Sequence, residues 1–366
     1  MRFLLVGSNK LYTMNQIVIN KRKLYNYCSP YIIAELGSNH NGDMELARKL
    51  IIAAKEAGAD CVKFQSWSKD TIFSAKTYED NYFIADDYRS RTDHTLTSIV
   101  EEYSISEDEL LDMKKFADEL GIDCSSTPFS KREADFLVDK LESPFVKVAS
   151  MDLNNYPFLD YLARKGKPMV ISTGLSELYE IDRAIRTIED AGNDQIIILH
   201  CVSIYPPKNE DVNLNNIDTL RLLYPKYPIG FSDHTLGFAV PLGAVAKGVC
   251  IIEKHFTLDK NMEGWDHKVS ATPEDMRVIV EGAKQIHESL GGTRISVREN
   301  LDRRESFRRS IVSTRAIKAG QVIKDEDVDF KRPGTGIPPG DVKFVVGRTA
   351  KTDIEFDKPI LLDQLV

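Results

Sequence analysis

With 366 residues, 42% of them hydrophobic, the chain exceeds one small domain and suits a barrel of ~250 residues with an appendage. A net charge of −8 and a pI near 5.5 argue against a nucleic-acid partner, which would want a basic face. No apolar stretch approaches the ~20 residues of a membrane span, and the opening Met1-Arg-Phe-Leu-Leu-Val-Gly7 has too short an apolar run for a secretory signal.

Residues 1–30, which include Lys21-Arg-Lys23, are expected to close the bottom of a barrel as a lid or hairpin. From residue 31, eight short apolar runs alternate with helical patterns: 31–35, 61–65, 122–127, 145–150, 169–173, 196–201, 229–234 and 249–255. Such runs read as parallel strands buried on both faces. Eight of them predict a (β/α)8 TIM barrel over 31–290, an α/β fold that places chemistry at the C-terminal strand ends. After the first run, Asp43 is an N-cap, and Leu46, Leu50, Ala53, Ala54 and Ala57 share one helix face that Gly58 ends. Gly121 and Gly192 repeat that punctuation, and Ser106 with Glu109 forms a capping box.

Between Gln65 and Ser104 no clear helix is expected, and a loop longer than ~15 residues is usually functional or disordered. It carries Tyr78, Tyr82, Phe83 and Tyr88 and reads as a peripheral ornament or a lid over the mouth. A helix from about Pro273 to Leu290 ends the barrel, 291–305 is a charged linker, and 306–366 is a small Gly/Pro-rich domain of short strands and turns. Of the five cysteines, Cys61, Cys124, Cys201 and Cys250 fall in expected buried strands and Cys28 outside them, which suits reduced thiols and a cytoplasmic location.

Each run ends in a polar tip, and the tips draft an active site. His234 and His255 close the last two strands, where neighbouring ends bring side chains within reach of one metal; imidazole suits Zn, Mn, Fe or Co. The alternative is that each bonds a backbone group. Two protein ligands leave positions open for water and a substrate oxygen, as a Lewis acid needs. Lys63 and Lys147 end strands two and four, among Gln65, Thr127, Ser150, Ser172 and Thr173. Inward lysines are costly to bury unpaired. Phosphate or a phosphorylated carboxylate relieves that cost, and so would ion pairs with Glu35 or Glu253. Glu35, ending strand one, is an acid/base candidate. Asp266, after strand eight, either grips a substrate hydroxyl or caps a turn. Cys201 reads as a small strand residue without the partners of a nucleophile.

Seven motifs in order resemble the sialic acid synthases: Ala34-Glu-Leu-Gly-Ser-Asn-His-Asn-Gly42, Val62-Lys-Phe-Gln65, Ser126-Thr-Pro-Phe-Ser130, Lys147-Val-Ala-Ser150, Ser172-Thr-Gly174, Phe231-Ser-Asp-His-Thr235 and Glu253-Lys-His-Phe-Thr-Leu258. The tail, from Phe307-Arg-Arg-Ser-Ile-Val312 to Lys331-Arg-Pro-Gly-Thr-Gly-Ile337, resembles their antifreeze-like SAF domain. The resemblance implies condensation of phosphoenolpyruvate with an N-acylated mannosamine-type sugar, giving a nine-carbon 2-keto sugar acid and phosphate. It implies a divalent metal, typically Mn2+ with Mg2+ or Co2+ as substitutes, on His234 and His255. Lys63, Lys147, Thr127, Ser150 and Ser172 would bind phosphoenolpyruvate, and Glu35 would handle protons or the attacking water. Gln65, Tyr205 and Asp266 would hold the amino sugar. It further implies a homodimer in which the SAF domain of one chain, through Arg332, reaches the sugar in the other.

Two departures fall on the sugar side: Ser203 stands where the N-acetylneuraminate branch commonly has asparagine, and Trp265 where proline is common. The acceptor therefore stays open to a legionaminate, pseudaminate or spore-coat polysaccharide type. A metal-dependent barrel aldolase or lyase would need the metal without the two lysines. A binding or ice-binding module would leave the metal-and-lysine mouth unexplained.

Overall fold

The computed structural model describes residues 15–81, 95–292, 295 and 297–366. Tyr82, Phe83 and Tyr88 lie outside them. Contacts divide the chain into two compact units, 1–291 and 292–366.

In the first unit, strand alternation sorts apolar residues into two cores. A hairpin of β1 (Ile17–Ile19) and β2 (Arg22–Leu24) precedes eight parallel strands. These are β3 (Tyr31–Gly37), β4 (Cys61–Ser66), β5 (Asp123–Pro128), β6 (Val146–Val148), β7 (Met169–Ser172), β8 (Ile196–Cys201), β9 (Ile229–Asp233) and β10 (Ile251–His255). Their order is β5-β4-β3-β10-β9-β8-β7-β6, and β5 and β6 complete the ring side by side. The Ser125 and Ser143 hydroxyls bond across that seam at 2.9 Å. The fold is the expected TIM-like barrel. Side chains two apart share a face. Ile32, Ala34, Val62, Phe64, Ile171 and Ile198 point outward and pack under the surrounding helices. Tyr31, Ile33, Cys61, Phe145, Val170, Ile197, Leu199 and Ile251 point inward and meet Ile17, Ile19 and Leu24 of the hairpin. The inward set clusters near the strand N-termini, so β1 and β2 plug that end with aliphatic side chains.

The helices follow their local signals. Asp43 caps Met44–Glu56, accepting from the Glu45 N–H at 2.8 Å. Ser106 and Glu109 cap Glu107–Leu120 reciprocally, and Pro273–Leu290 is the closing helix. The connection after β4 contains short helices at Lys69–Ile72, Ala75–Asp80 and Leu96–Glu102. No helix among the described residues is long and apolar enough to cross a membrane. All five cysteines are buried and free of disulfides.

Gly248 shows how tightly the plug is seated. Its φ is +80°, its carbonyl accepts from the Tyr27 N–H at 2.8 Å, and a Cβ there would lie 2.3 Å from the Tyr27 ring. Left-handed strain costs an L-residue ~1–2 kcal/mol and overpacking ~1–3 kcal/mol. The half-exposed Tyr27 ring can yield, so Gly248→Ala is expected to lose about 1–3 kcal/mol in urea unfolding. An unchanged midpoint would contradict the seating.

The second unit has its own core of Ile311, Ile317, Ile323, Ile337, Val345, Ile354 and Ile360. Its antiparallel pair, β11 (Ser310–Ser313) and β12 (Val328–Lys331), sits among turns and single-turn helices.

Candidate active site

At the C-terminal strand ends lies a cavity of about 400 Å³. Glu35, Lys63, Gln65, Thr127, Lys147, Ser150, Ser172, Tyr205, His234, His255 and Asp266 all line it. Arg332 belongs to the second unit, where its guanidinium lies 5.5 Å from the Phe307 ring centre. Ser150 stands in a 3-10 turn after β6, and its hydroxyl accepts from the Gly174 N–H at 3.1 Å.

Glu253, two residues before His255, shares its inward face and joins the site. Lys63 is ion-paired with Glu35, donates to Thr127 Oγ1 at 2.8 Å and lies 3.8 Å from Glu253. Lys147 donates to Ser172 Oγ at 2.8 Å and to the Val148 carbonyl at 3.1 Å, and lies 3.6 Å from Glu253. Both ion pairs weighed from sequence are therefore present, and Glu253 bridges the two lysines. Lys254 points the other way, bonded to Asp233 and the Thr235 carbonyl outside the barrel.

The two carboxyls are pushed apart. Burial and the Glu253 charge outweigh the pull of Lys63 and raise Glu35 to about 7. Burial also opposes ionisation of Glu253, but Lys147, Lys63 and the Ser232 hydroxyl, 3.0 Å away, overcome it and hold Glu253 at about 2. Glu253 is thus the lasting anion and Glu35 the group that exchanges a proton near neutrality, a division typical of acid/base sites. Burial lowers Lys147, with Glu253 opposing and Lys63 adding to the shift. Gln65 donates to Glu35 Oε1 at 3.1 Å. Gly37, at φ +48°, makes room for both, since a Cβ there would stand 3.2 Å from that oxygen.

A raised carboxyl keeps its proton when the unfolded chain has already lost it, so its contribution to stability falls as pH rises from about 4.5 to about 7. Glu35→Gln abolishes that slope. The stability of the variant relative to wild type is expected to climb across that window and level off above it, read by urea unfolding against pH. The Glu253 contribution has the opposite sign and is lost between about 4.5 and about 2, so the windows are separate. A difference flat across 4.5–7 would assign Glu35 no such proton.

The imidazoles of His234 and His255 lie 5.4 Å apart, centre to centre, and Tyr205 stacks on His234 at 4.1 Å and meets His255 edge-on at 5.8 Å. His234 Nδ1 is 2.8 Å from the Val202 carbonyl, which fixes Nδ1–H and leaves Nε2 to accept or ligate. His255 Nδ1 is buried without a hydrogen-bond partner, 3.8 Å from Asp266 Oδ2. Burial and the neighbouring cations keep His255 neutral, the form that ligates metal. Among the described residues no three His, Cys, Asp or Glu side chains cluster as a metal site. A cation held by this pair would complete its shell from water or substrate. Cys201 lies 4.0 Å from His234 Nδ1, but that nitrogen is engaged by Val202, so the thiol has no base.

Reasoning from tips missed the residues beyond them. Trp67, Ile72, Phe73, Phe129, Met151 and Leu175 also line the cavity. They come from loops after several strands, where no periodicity links them. Ile72, Phe73 and Val100 bring the 66–104 connection to the mouth.

The NeuB family matches residues 50–294 and the SAF domain matches residues 308–366. An uncharacterized protein of Methanocaldococcus jannaschii is 40% identical, covering 96% of this chain and 99% of its own length. The N,N'-diacetyllegionaminic acid synthase of Legionella pneumophila is 37% identical, covering 92% and 94%. The crystal structure of N-acetylneuraminic acid synthetase from Leptospira borgpetersenii, in complex with citrate, superposes with a TM-score of 0.68 at 30% identity, covering 80% and 95%.

Proposed function

The chain belongs to the NeuB family and carries an SAF domain, and from that premise we propose that it is a nonulosonic acid synthase joining phosphoenolpyruvate to an N-acylated hexosamine. The observation that carries this reading is the pair of buried lysines, Lys63 and Lys147, converging with Thr127, Ser150 and Ser172 beside two imidazoles in one cavity. A lyase acting without phosphoenolpyruvate has no use for that floor. Lys63 and Lys147 hold the phosphate and carboxylate, with the three hydroxyls completing the anion's hydrogen bonds. A divalent cation on His234 and His255, typically manganese, would supply Lewis acidity toward the acceptor's carbonyl oxygen.

The reaction then forms a carbon–carbon bond between C3 of phosphoenolpyruvate and the acceptor's aldehyde carbon. As that bond forms, the carbonyl π pair moves onto the aldehyde oxygen, which becomes the product hydroxyl by taking the proton that Glu35 receives from water. Loss of the enol's electron pair leaves C2 cationic. Water adds there and gives its proton to Glu35, which is poised near neutrality to take it. The tetrahedral carbon collapses to the ketone and expels phosphate, whose growing charge Lys63 and Lys147 stabilise. Gln65, Tyr205 and Asp266 orient the sugar, and the SAF domain of a second copy, through Arg332, covers the mouth in a homodimer.

The test is phosphate release with Mn2+ from the full-length protein. It is expected to require both phosphoenolpyruvate and an N-acylhexosamine, one phosphate per nine-carbon 2-keto acid by mass. Carbon–carbon cleavage of a keto acid without phosphate would favour the lyase.

A further inference from the structure

The loop after β10 is held by the loop after β3. Asn39 is buried there, and its Nδ2 donates to the Phe256 carbonyl and to Ser270 Oγ, both at 2.8 Å. Ser270 in turn donates to the Asp266 carbonyl at 2.6 Å. Two residues on, Asn41 stands in a left-handed turn at φ +50° and donates from Nδ2 to the Glu263 carbonyl at 2.7 Å. Behind these anchors, and outside the cavity lining, His267 is fully buried. Its Nδ1 lies 2.6 Å from Thr257 Oγ1 and its Nε2 3.3 Å from Asn41 Oδ1. Gly264 lets the chain close on this pair, since a Cβ there would stand 2.5 Å from the His267 ring and 2.6 Å from Asn41 Oδ1.

The donors run in one order. The Asn41 amide nitrogen gives its hydrogen to Glu263, so the amide oxygen accepts. The neutral His267 ring then carries its proton on Nε2, and Nδ1 accepts from the Thr257 hydroxyl, which lies nearer to it than to the Asp259 carbonyl at 3.1 Å. The segment so held, 263–266, brings Asp266 to the cavity, with Oδ2 3.8 Å from His255 Nδ1. Trp265 is packed independently, 6.3 Å from Trp67 and 6.2 Å from Tyr103, in an aromatic wall that Phe129 completes.

We propose that His267 is a positioning residue, which through Asn41 fixes the 263–266 segment and so sets where the Asp266 carboxylate meets the acceptor. The inference rests on the synthase reading and adds to it a residue that touches neither substrate. Asp266 stands on a loop, and a loop holds a side chain less precisely than a strand does unless it is anchored. Asn39 anchors the base of this loop, at Phe256 and Ser270. Asn41 and His267 anchor its far turn. Ser38 Oγ reaches Asp266 Oδ2 only at 3.4 Å, too long to fix a carboxylate alone. Without the far anchor the carboxylate drifts, while β10 and the lysine floor stay in place. A misplacement of about 1 Å costs on the order of 10²-fold in rate.

The experiment is a double-mutant cycle on full-length protein with Mn2+ and phosphoenolpyruvate, read as phosphate release. The acceptor is the best used of N-acetylmannosamine, its 6-phosphate and 2,4-diacetamido-2,4,6-trideoxymannose. His267→Leu is expected to lower kcat/KM for the acceptor about 10–100-fold and to leave the KM of phosphoenolpyruvate unchanged. His267→Gln, whose amide can still donate to Asn41, is expected to recover most of that loss. In an Asp266→Ala background His267→Leu is expected to cost almost nothing further, because the group it places is gone. Asn41→Gly suits the left-handed turn and spares the buried ring, so it should repeat the His267→Leu pattern even if the leucine variant folds poorly. Additive losses in the cycle, or an equal rise in both KM values, would overturn the inference and leave the synthase reading standing. A wild-type protein that releases no phosphate with any of these sugars overturns the synthase reading, and the inference with it.

Discussion

Lys147→Met is expected to lower turnover by at least ~10²–10³, the usual cost of deleting one preorganised electrostatic contact with a developing charge. The lysine is buried, donates to Ser172 and Val148, and faces Glu253 at 3.6 Å. Methionine fills the stem's space and takes away the charge. Removing one partner of a buried ion pair also destabilises by ~3–5 kcal/mol, because the other charge is left uncompensated. Here Lys63 still reaches Glu253, so the lower end is expected. The two effects separate in the double variant Lys147→Met/Glu253→Gln, which recovers stability and stays inactive. Near-normal turnover in a folded Lys147→Met protein would remove Lys147 from the phosphate site.

The second large effect is that of His234→Ala. Turnover is again expected to fall at least ~10²–10³. A second readout is independent of activity: manganese is expected to raise the melting temperature of the wild-type protein, since a ligand that binds only the folded state stabilises it by mass action. In the variant that shift is expected to disappear, because His255 alone is a single ligand. The preset tautomer of His234, locked by the Val202 carbonyl, makes the remaining nitrogen the one that matters. The same manganese-dependent shift in His234→Ala would rule out the imidazole pair as the metal site.

How much of this was legible beforehand follows from alternation. The eight apolar runs are eight strands because both of their faces are buried, against the helices and against the hairpin plug. Their polar tips converge because strands of one barrel end at one mouth. The same two-residue period marks Glu253 as a neighbour of His255 and sends Lys254 outward to Asp233. Glu253 entered the sequence reading as an ion-pair partner, yet it bridges both lysines. Ion pairing and anion binding are compatible, since an arriving anion can take over lysines that carboxylates now hold. The aromatic wall was not legible. Trp67, Phe129 and Trp265 meet only through the packing of three loops far apart in sequence, and local pattern carries no such information.

Water attack at C2, with phosphate departing together with the bridging oxygen, is open to isotope labelling. Phosphoenolpyruvate labelled with 18O at the C2–O–P bridge is turned over with Mn2+ and the preferred acceptor, and the released phosphate is weighed. Phosphate that retains the label is the predicted result. Unlabelled phosphate, with cleavage at the phosphorus–oxygen bond, would contradict the account.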